Sequence, residues 1–135
     1  MKITQFMLKT NKREEIIDIS DEIMRIIRDS GIEDGLCRIF VPHTTAGLTL
    51  NENADNSVKT DFLNILQRII PQSREYKHME GNSDSHVKAS LVGFSQVILI
   101  QNRKCLLGTW QGIWFCEFDG PRTRNLIISI EDGKI

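Results

Sequence analysis

The chain has 135 residues, 40% of them apolar and 26% charged, with a net charge of −1. That length and balance fit one folded domain with a sizeable core, and exclude a disordered or low-complexity chain. Near-neutral charge without a long Lys/Arg run excludes nucleic acid or an anionic membrane as the main partner, and no stretch approaches the ~20 apolar residues of a membrane helix.

Residues 2 to 9 and 14 to 19 read as strands around the turn-like Thr10-Asn11-Lys12. Ser20 is placed to cap a helix in which Ile19, Ile23, Ile26 and Ile27 recur at helical spacing. Asp21 and Glu22 near its start and Arg25 and Arg28 near its end complement the macrodipole, and Gly31 stops it. Asp34-Gly35 turns the chain into a β-rich run, 36 to 41, that ends at Pro42. Residues 47 to 50 read as extended. Asp55 can cap a second helix whose stripe is Val58, Phe62, Ile65, Leu66 and Ile69, ended by Pro71.

Residues 72 to 77 read as a loop, and 85 to 91 as a short helix closed by Gly93. Four strand-like stretches follow, at 95 to 101, 104 to 109, 112 to 118 and 124 to 131. Strands at both ends with helices between them predict an α+β domain, a single unit over 1–135 with a mostly antiparallel sheet and two to three helices. The N-terminal residues lack the apolar stretch of a signal peptide, so a soluble cytoplasmic protein is expected. Cys37, Cys105 and Cys116 form no Cys-x-x-Cys, and each lies in a strand-like run. That predicts buried free thiols in a reducing compartment, with a catalytic or metal-binding cysteine as the alternative.

All three histidines, His43, His78 and His86, fall in two polar segments, 42 to 55 and 78 to 86. Imidazole among amides, carboxylates and hydroxyls is the composition of a metal or acid–base site. His43 follows a buried strand and Pro42, beside Thr44 and Thr45. It either reaches a cleft or bonds a neighbouring strand.

If 77 to 80 is extended, His78 and Glu80 share a side. Ser83 or Asp84 then caps the next helix and sets His86 in its first turn, where helix N–H groups favour phosphate and a neutral imidazole. A capped turn with incidental histidines is the plainer alternative. His43, His78 and His86 are the candidate ligands of a Zn²⁺ or Mg²⁺ ion, although His-x-Glu with a third ligand six residues on is not a standard zinc spacing.

Glu52 and Asn53 exceed what capping by Asp55 requires, and could orient His43 or hold a Mg²⁺ carrying phosphate. In 108 to 115 the glycines flanking Trp110-Gln111 imply a close approach to the backbone, either by a planar ligand on Trp110 or by another subunit. Arg122 and Arg124 could add phosphate contacts.

Three stretches together identify a resemblance: His-Thr-Thr-Ala-Gly-Leu-Thr-Leu-Asn-Glu-Asn-Ala-Asp at 43 to 55, His-Met-Glu-Gly-Asn-Ser-Asp-Ser-His-Val-Lys-Ala-Ser-Leu-Val-Gly at 78 to 93, and Leu-Gly-Thr-Trp-Gln-Gly-Ile at 107 to 113. In this order they resemble the YjbQ family (UPF0047), also called secondary thiamine-phosphate synthases, over essentially the whole chain. One departure is that Ser83-Asp84-Ser85 stands where the family often carries a more apolar stretch.

The resemblance implies a compact α+β domain in a homotrimer. It also implies transfer of a hydroxymethylpyrimidine from its diphosphate to a thiazole phosphate, with release of pyrophosphate. On that reading His43, His86, Glu52 and Glu80 are the catalytic candidates. Thr44, Asn53, Asn82, Asp84, Trp110 and Gln111 contact the phosphorylated metabolite, and a divalent ion stabilises the departing pyrophosphate. A metal-dependent phosphohydrolase is the alternative enzyme, and a trimeric module that binds a phosphorylated ligand or metal without turnover is the non-enzyme alternative.

Overall fold

A computed structural model describes residues 1–134. Eight strands and three helices follow in the order β1 (Lys2–Lys9), β2 (Glu15–Asp18), α1 (Ser20–Ser30), β3 (Gly35–Phe40), β4 (Ala46–Glu52), α2 (Asn56–Ile69), α3 (Ser83–Val92), β5 (Ser95–Gln101), β6 (Lys104–Cys105), β7 (Gln111–Glu117) and β8 (Thr123–Asp132). They form two antiparallel sheets, a five-stranded one ordered β1-β8-β3-β5-β6 and a three-stranded one ordered β2-β7-β4. The expected α+β architecture is therefore correct.

The main core lies between the sheets. Cys37 and Ile39 of β3, Ile98 and Ile100 of β5, and Leu126, Ile128 and Ile130 of β8 meet Leu48 of β4, Ile113 and Phe115 of β7, and Ile19, Ile23 and Ile27 at α1. β7, the middle strand of its sheet, is buried on both faces. Its other face sends Trp114 and Cys116 into a second cluster with Ala89 of α3 and Val58, Phe62, Leu63 and Leu66 of α2. The Phe62 ring meets Trp114 edge to face, with centroids 5.5 Å apart.

Several sequence expectations change at the element ends. Ser20 does not cap α1. Its hydroxyl donates to Asp18 Oδ1 and accepts from Ile113 N–H, while Asp18 Oδ1 accepts Ser20 N–H, so the start of the helix is stitched to β7. Gly31 does end α1, left-handed at φ 74°, with its N–H on Arg28 O. Asp55 caps α2 by accepting Ser57 N–H at 2.9 Å.

The α2 stripe is rotated from expectation. Leu63 joins the packed face, while Ile65 and Ile69 are exposed. α3 starts two residues early, at Ser83, with Asn82 at the cap position and no capping side chain; neither Ser83 nor Asp84 fills that role. The strand expected over 104 to 109 stops at Cys105. Leu106 N–H still bonds Leu99 O, and the chain then turns where Gln111 Oε1 accepts Gly108 N–H.

Cys37 and Cys116 are buried, Cys105 is half-buried, and all three are free. Burial pushes the Cys37 thiol up to about 12 and raises the other two. That disfavours the thiolate that catalysis or metal binding needs. Among the described residues no helix is long and apolar enough to cross a membrane.

Candidate functional site

Three connections meet at one end of the two sheets and enclose an open cleft of about 550 Å³. The β3–β4 connection brings His43, Thr44 and Thr45. The segment leading into α3, with its first turn, brings His78, Glu80, Asn82 and His86. The β7–β8 connection and the start of β8 bring Asp119, Arg122, Thr123 and Arg124. The three histidines thus share one cavity, as their grouping in the sequence suggested.

The floor of this cleft is a buried ion pair. Arg124 of β8 is 3% exposed and Glu117 of β7 is fully buried. Arg124 Nε donates to Glu117 Oε1 at 2.9 Å, Nη2 donates to Oε2 and to Thr45 Oγ1, and Thr10 Oγ1 donates to Glu117 Oε1 at 2.7 Å. These bonds offset the desolvation that an isolated pair of charges would suffer. Two residues earlier on the same face of the chain, Arg122 donates through Nε and Nη2 to Asp119 O and Oδ2 at 2.8 and 2.9 Å. The Asp119 carboxylate raises the pKa of Arg122.

Asn82 Nδ2 donates to Asp119 Oδ2 at 2.7 Å, which tethers the entry of α3 to the β7–β8 connection. Asn82 Oδ1 is buried without a hydrogen-bond partner, one of two such side-chain atoms among the described residues. A buried acceptor left open costs roughly 1–3 kcal/mol until a donor reaches it, so this position favours a ligand or water carrying N–H or O–H.

His43 has a defined tautomer. Its Nε2 accepts the backbone N–H of Asn125 at 2.8 Å, so the ring proton resides on Nδ1. Burial lowers the His43 pKa, the Arg124 charge lowers it further, and the ring is held neutral. A neutral imidazole has one lone pair, and here that pair is occupied by Asn125 N–H. His43 therefore stands as an N–H donor in the cleft, which does not suit the ligand role expected for it.

His78 and His86 meet edge to face with ring centroids 5.3 Å apart, and His78 Nε2 lies 3.8 Å from Glu80 Oε1. Among the described residues no three His, Cys, Asp or Glu side chains are assembled to hold an ion. His78, His86, Glu80, Asn82 Oδ1 and Asp119 Oδ1 offer open lone pairs in the cleft.

Asp84 does not reach the cleft. It is buried, and desolvation, which raises its pKa, is outweighed by Arg13 and Lys88, which hold it below the usual carboxylate range. Arg13 Nη2 lies 3.1 Å from Oδ1, and Lys88, itself fully buried, lies 3.1 Å from Oδ2 and 2.9 Å from Glu14. This four-charge cluster fastens the first turn of α3 to the β1–β2 connection.

Glu52, Asn53, Trp110 and Gln111 form a separate group. In the β4–β7 ladder Ala46 faces Glu117 beside the cleft, whereas Glu52 faces Gln111 six residues on, about 20 Å away. Asn53 is structural there: its Nδ2 donates to Asp18, and its Oδ1 accepts Trp114 Nε1–H at 3.3 Å. The two glycines are explained without a ligand. A Cβ on Gly112 would stand 2.4 Å from Asn53 Cγ, and one on Gly108 would stand 3.3 Å from Gln111 Oε1. Trp110 is 63% exposed.

Sequence reasoning missed Asp119 and the Glu117–Arg124 pair. The available signal was Arg-x-Arg after Asp-Gly-Pro, since alternation puts both arginines on one face of a strand.

Residues 4–133 match the family described as UPF0047 protein YjbQ-like. The chain is 56% identical over 130 residues to UPF0047 protein MJ1081 of Methanocaldococcus jannaschii, covering 96% of this chain and 94% of that one. It is 50% identical to UPF0047 protein YugU of Bacillus subtilis, covering 91% and 94%. A crystal structure of a conserved YjbQ/UPF0047 protein from Clostridium acetobutylicum superposes with a TM-score of 0.92 at 49% identity, covering 95% of this chain and 99% of that one. The three motifs of the sequence, the two-sheet fold and these matches agree: the chain belongs to the YjbQ-like UPF0047 family.

Proposed function

We propose that the histidine cleft binds a phosphorylated metabolite and assists departure of a phosphate group, in the manner of a secondary thiamine-phosphate synthase. The observation that carries this reading is the meeting of all three histidines with Arg122 and Arg124 in one cleft of about 550 Å³, a size suited to a small ligand. In the coupling reaction the thiazole nitrogen attacks the pyrimidine methylene. A C–N bond forms, the C–O bond to diphosphate breaks, and pyrophosphate leaves with the electron pair.

Arg122, on the exposed rim beside Asp119, donates to the diphosphate, and Arg124, its charge balanced by Glu117, fixes the floor beneath it. The Nδ1–H of neutral His43 donates to an oxygen that gains charge as the bond breaks. Asn82 Oδ1 receives an N–H or O–H of the organic part. A divalent ion, Zn²⁺ or Mg²⁺, would find His78, His86 and Glu80 nearest to hand, but these three are not assembled as a ligand set, so no step rests on an ion.

The reading extends to a cytoplasmic homotrimer. Free thiols support a reducing compartment. The outer face of the five-stranded sheet supports self-association, because Phe40, Val97 and Leu99 there are 46%, 57% and 53% exposed.

The test offers the purified protein hydroxymethylpyrimidine diphosphate with thiazole phosphate and measures coupled product and pyrophosphate. Wild type is expected to couple the two, and His43→Ala and His86→Ala each to abolish coupling while keeping the wild-type unfolding temperature. Full activity in both variants refutes the assignment. Phosphate release from one substrate without the acceptor would instead identify a phosphohydrolase.

A further inference from the structure

A second hollow, of about 500 Å³, shares no residue with the histidine cleft. Met24 and Arg28, one turn apart on α1, form one wall; Asn102, Arg103, Lys104 and Cys105, from the β5–β6 hairpin, form the other. Its floor is apolar: the half-buried Met24 side chain, the half-buried Cys105 thiol and the methylene stems of the long basic residues.

Its rim is cationic. Arg28, Arg103 and Lys104 line it and no Asp or Glu does. Elsewhere in the fold Arg13, Arg38, Lys88, Arg122 and Arg124 pair with carboxylates, while scattered cations such as Lys2, Arg74 and Lys77 form no ion pair but line no hollow with two others. Among the described residues Arg28, Arg103 and Lys104 form no ion pair, although Asp34 is close enough to accept Asn102 N–H at 3.2 Å.

The hairpin turn holds Arg103 in a costly conformation. Asn102 and Arg103 both have positive φ, 52° and 65°. A two-residue turn of this hand favours Asn followed by Gly, so a long side chain at the second position costs about 1 kcal/mol relative to glycine. The turn is nonetheless firmly held, with Arg103 N–H on Glu33 O at 2.8 Å and Arg103 Nη2 on Arg28 O at 3.1 Å. An arginine stands where glycine is cheaper, its guanidinium held on the Arg28 carbonyl at the end of α1, beside Arg28 and Lys104 and above the Met24 and Cys105 side chains.

We propose that this hollow binds a small amphipathic organic anion, its acidic head on Arg28, Arg103 and Lys104 and its apolar body over Met24 and Cys105. The site is independent of the histidine cleft.

The experiment titrates the full-length protein with 8-anilinonaphthalene-1-sulfonate, in parallel with the uncharged N-phenyl-1-naphthylamine, for wild type and the Arg28→Gln/Lys104→Gln variant. Both residues are exposed, and thermal unfolding verifies that the variant is folded. One saturable sulfonate site per chain is expected, weakened about tenfold in the variant by the loss of two solvent-facing charge contacts. The uncharged probe should bind both proteins alike.

Saturating sulfonate should also slow maleimide alkylation of Cys105, the one cysteine that is not fully buried. Equal sulfonate affinity in wild type and variant, or an unchanged alkylation rate, would overturn the proposal. So would variant-sensitive binding to phosphatidylglycerol vesicles without a sulfonate site, which would reassign the patch to a membrane surface.

Discussion

Replacing Arg124 by Met removes the one guanidinium bonded to Glu117, a carboxylate with no access to water. Glu117 is 0% exposed, and in the wild type it receives Arg124 Nε and Nη2, Thr10 Oγ1 and the Asp119 N–H at 3.2 Å. In the variant only the two neutral donors remain, and breaking a buried pair from one side costs about 3–5 kcal/mol. For a chain of this size each kcal/mol shifts the unfolding midpoint by roughly 3 °C, so Arg124→Met should lower Tm by about 10–15 °C. The second arm is Glu117→Met/Arg124→Met. That variant has no orphaned charge, and should recover most of the loss because a buried pair replaced by apolar groups of similar volume is often neutral in stability. Calorimetric or circular-dichroism melts at pH 7, with urea unfolding to obtain ΔG, read both arms. A single variant within 1 kcal/mol of wild type, or a double variant no more stable than the single, would refute the argument that the cleft floor is a mutually dependent pair.

Histidine 43 should leave a signature in the pH dependence of stability. Its folded pKa is depressed, so between the folded and the ordinary value near 6.5 the unfolded chain binds a proton that the native one does not. Stability is then full above the ordinary value and declines as pH falls through that window, and His43→Gln should flatten the decline in melts between pH 5 and 7.5. Long-range ¹H–¹⁵N correlation spectra at pH 7.5 should show the His43 proton on Nδ1, with Nε2 as acceptor. Gly112→Ala places a methyl group 2.4 Å from Asn53 Cγ, and should cost about 1–3 kcal/mol in urea unfolding, with partial recovery when Asn53→Ala is added. Trp110→Ala, about 20 Å along the ladder from the cleft, should leave pyrophosphate affinity in isothermal titration within twofold, whereas Arg122→Ala should weaken it severalfold and increasingly at low salt.

What the sequence disclosed, and what it hid, divides along the distance between partners. Ile23 and Ile27 find the core because their spacing is a local helical property, and Gly31 and Asp55 end and begin helices through contacts within a few residues. The grouping of His43, His78 and His86 was legible as composition, and the fold does bring them to one cavity. Ser20 was misread because its partner, the Ile113 N–H, lies 93 residues away. Asp84 was misread for the same reason: Arg13 is 71 residues upstream and redirects the carboxylate from the helix cap into an ion cluster. Glu52 and Asn53 were grouped with His43 because they follow it closely in sequence. An extended strand carries neighbours away at more than 3 Å per residue, so β4 delivers them to the opposite end of the sheet. The glycines around Trp110-Gln111 did report a close approach, but the approaching groups are Asn53 and Gln111 of the same chain.

Among the described residues β8 lies between β1 and β3, pairing with β1 from Thr123 to Ile130 and with β3 from Ile127 to Asp132. Without β8 the first strand and the third have no common neighbour, and Leu126, Ile128 and Ile130 are missing from the core that Cys37 and Ile39 share. Closure of the five-stranded sheet therefore requires this strand, and any state that lacks it carries unpaired strand edges on β1 and β3 that invite association with other chains. The same insertion delivers Arg124 to Glu117 and Asn125 N–H to His43, so closure of the sheet and completion of the cleft are one event.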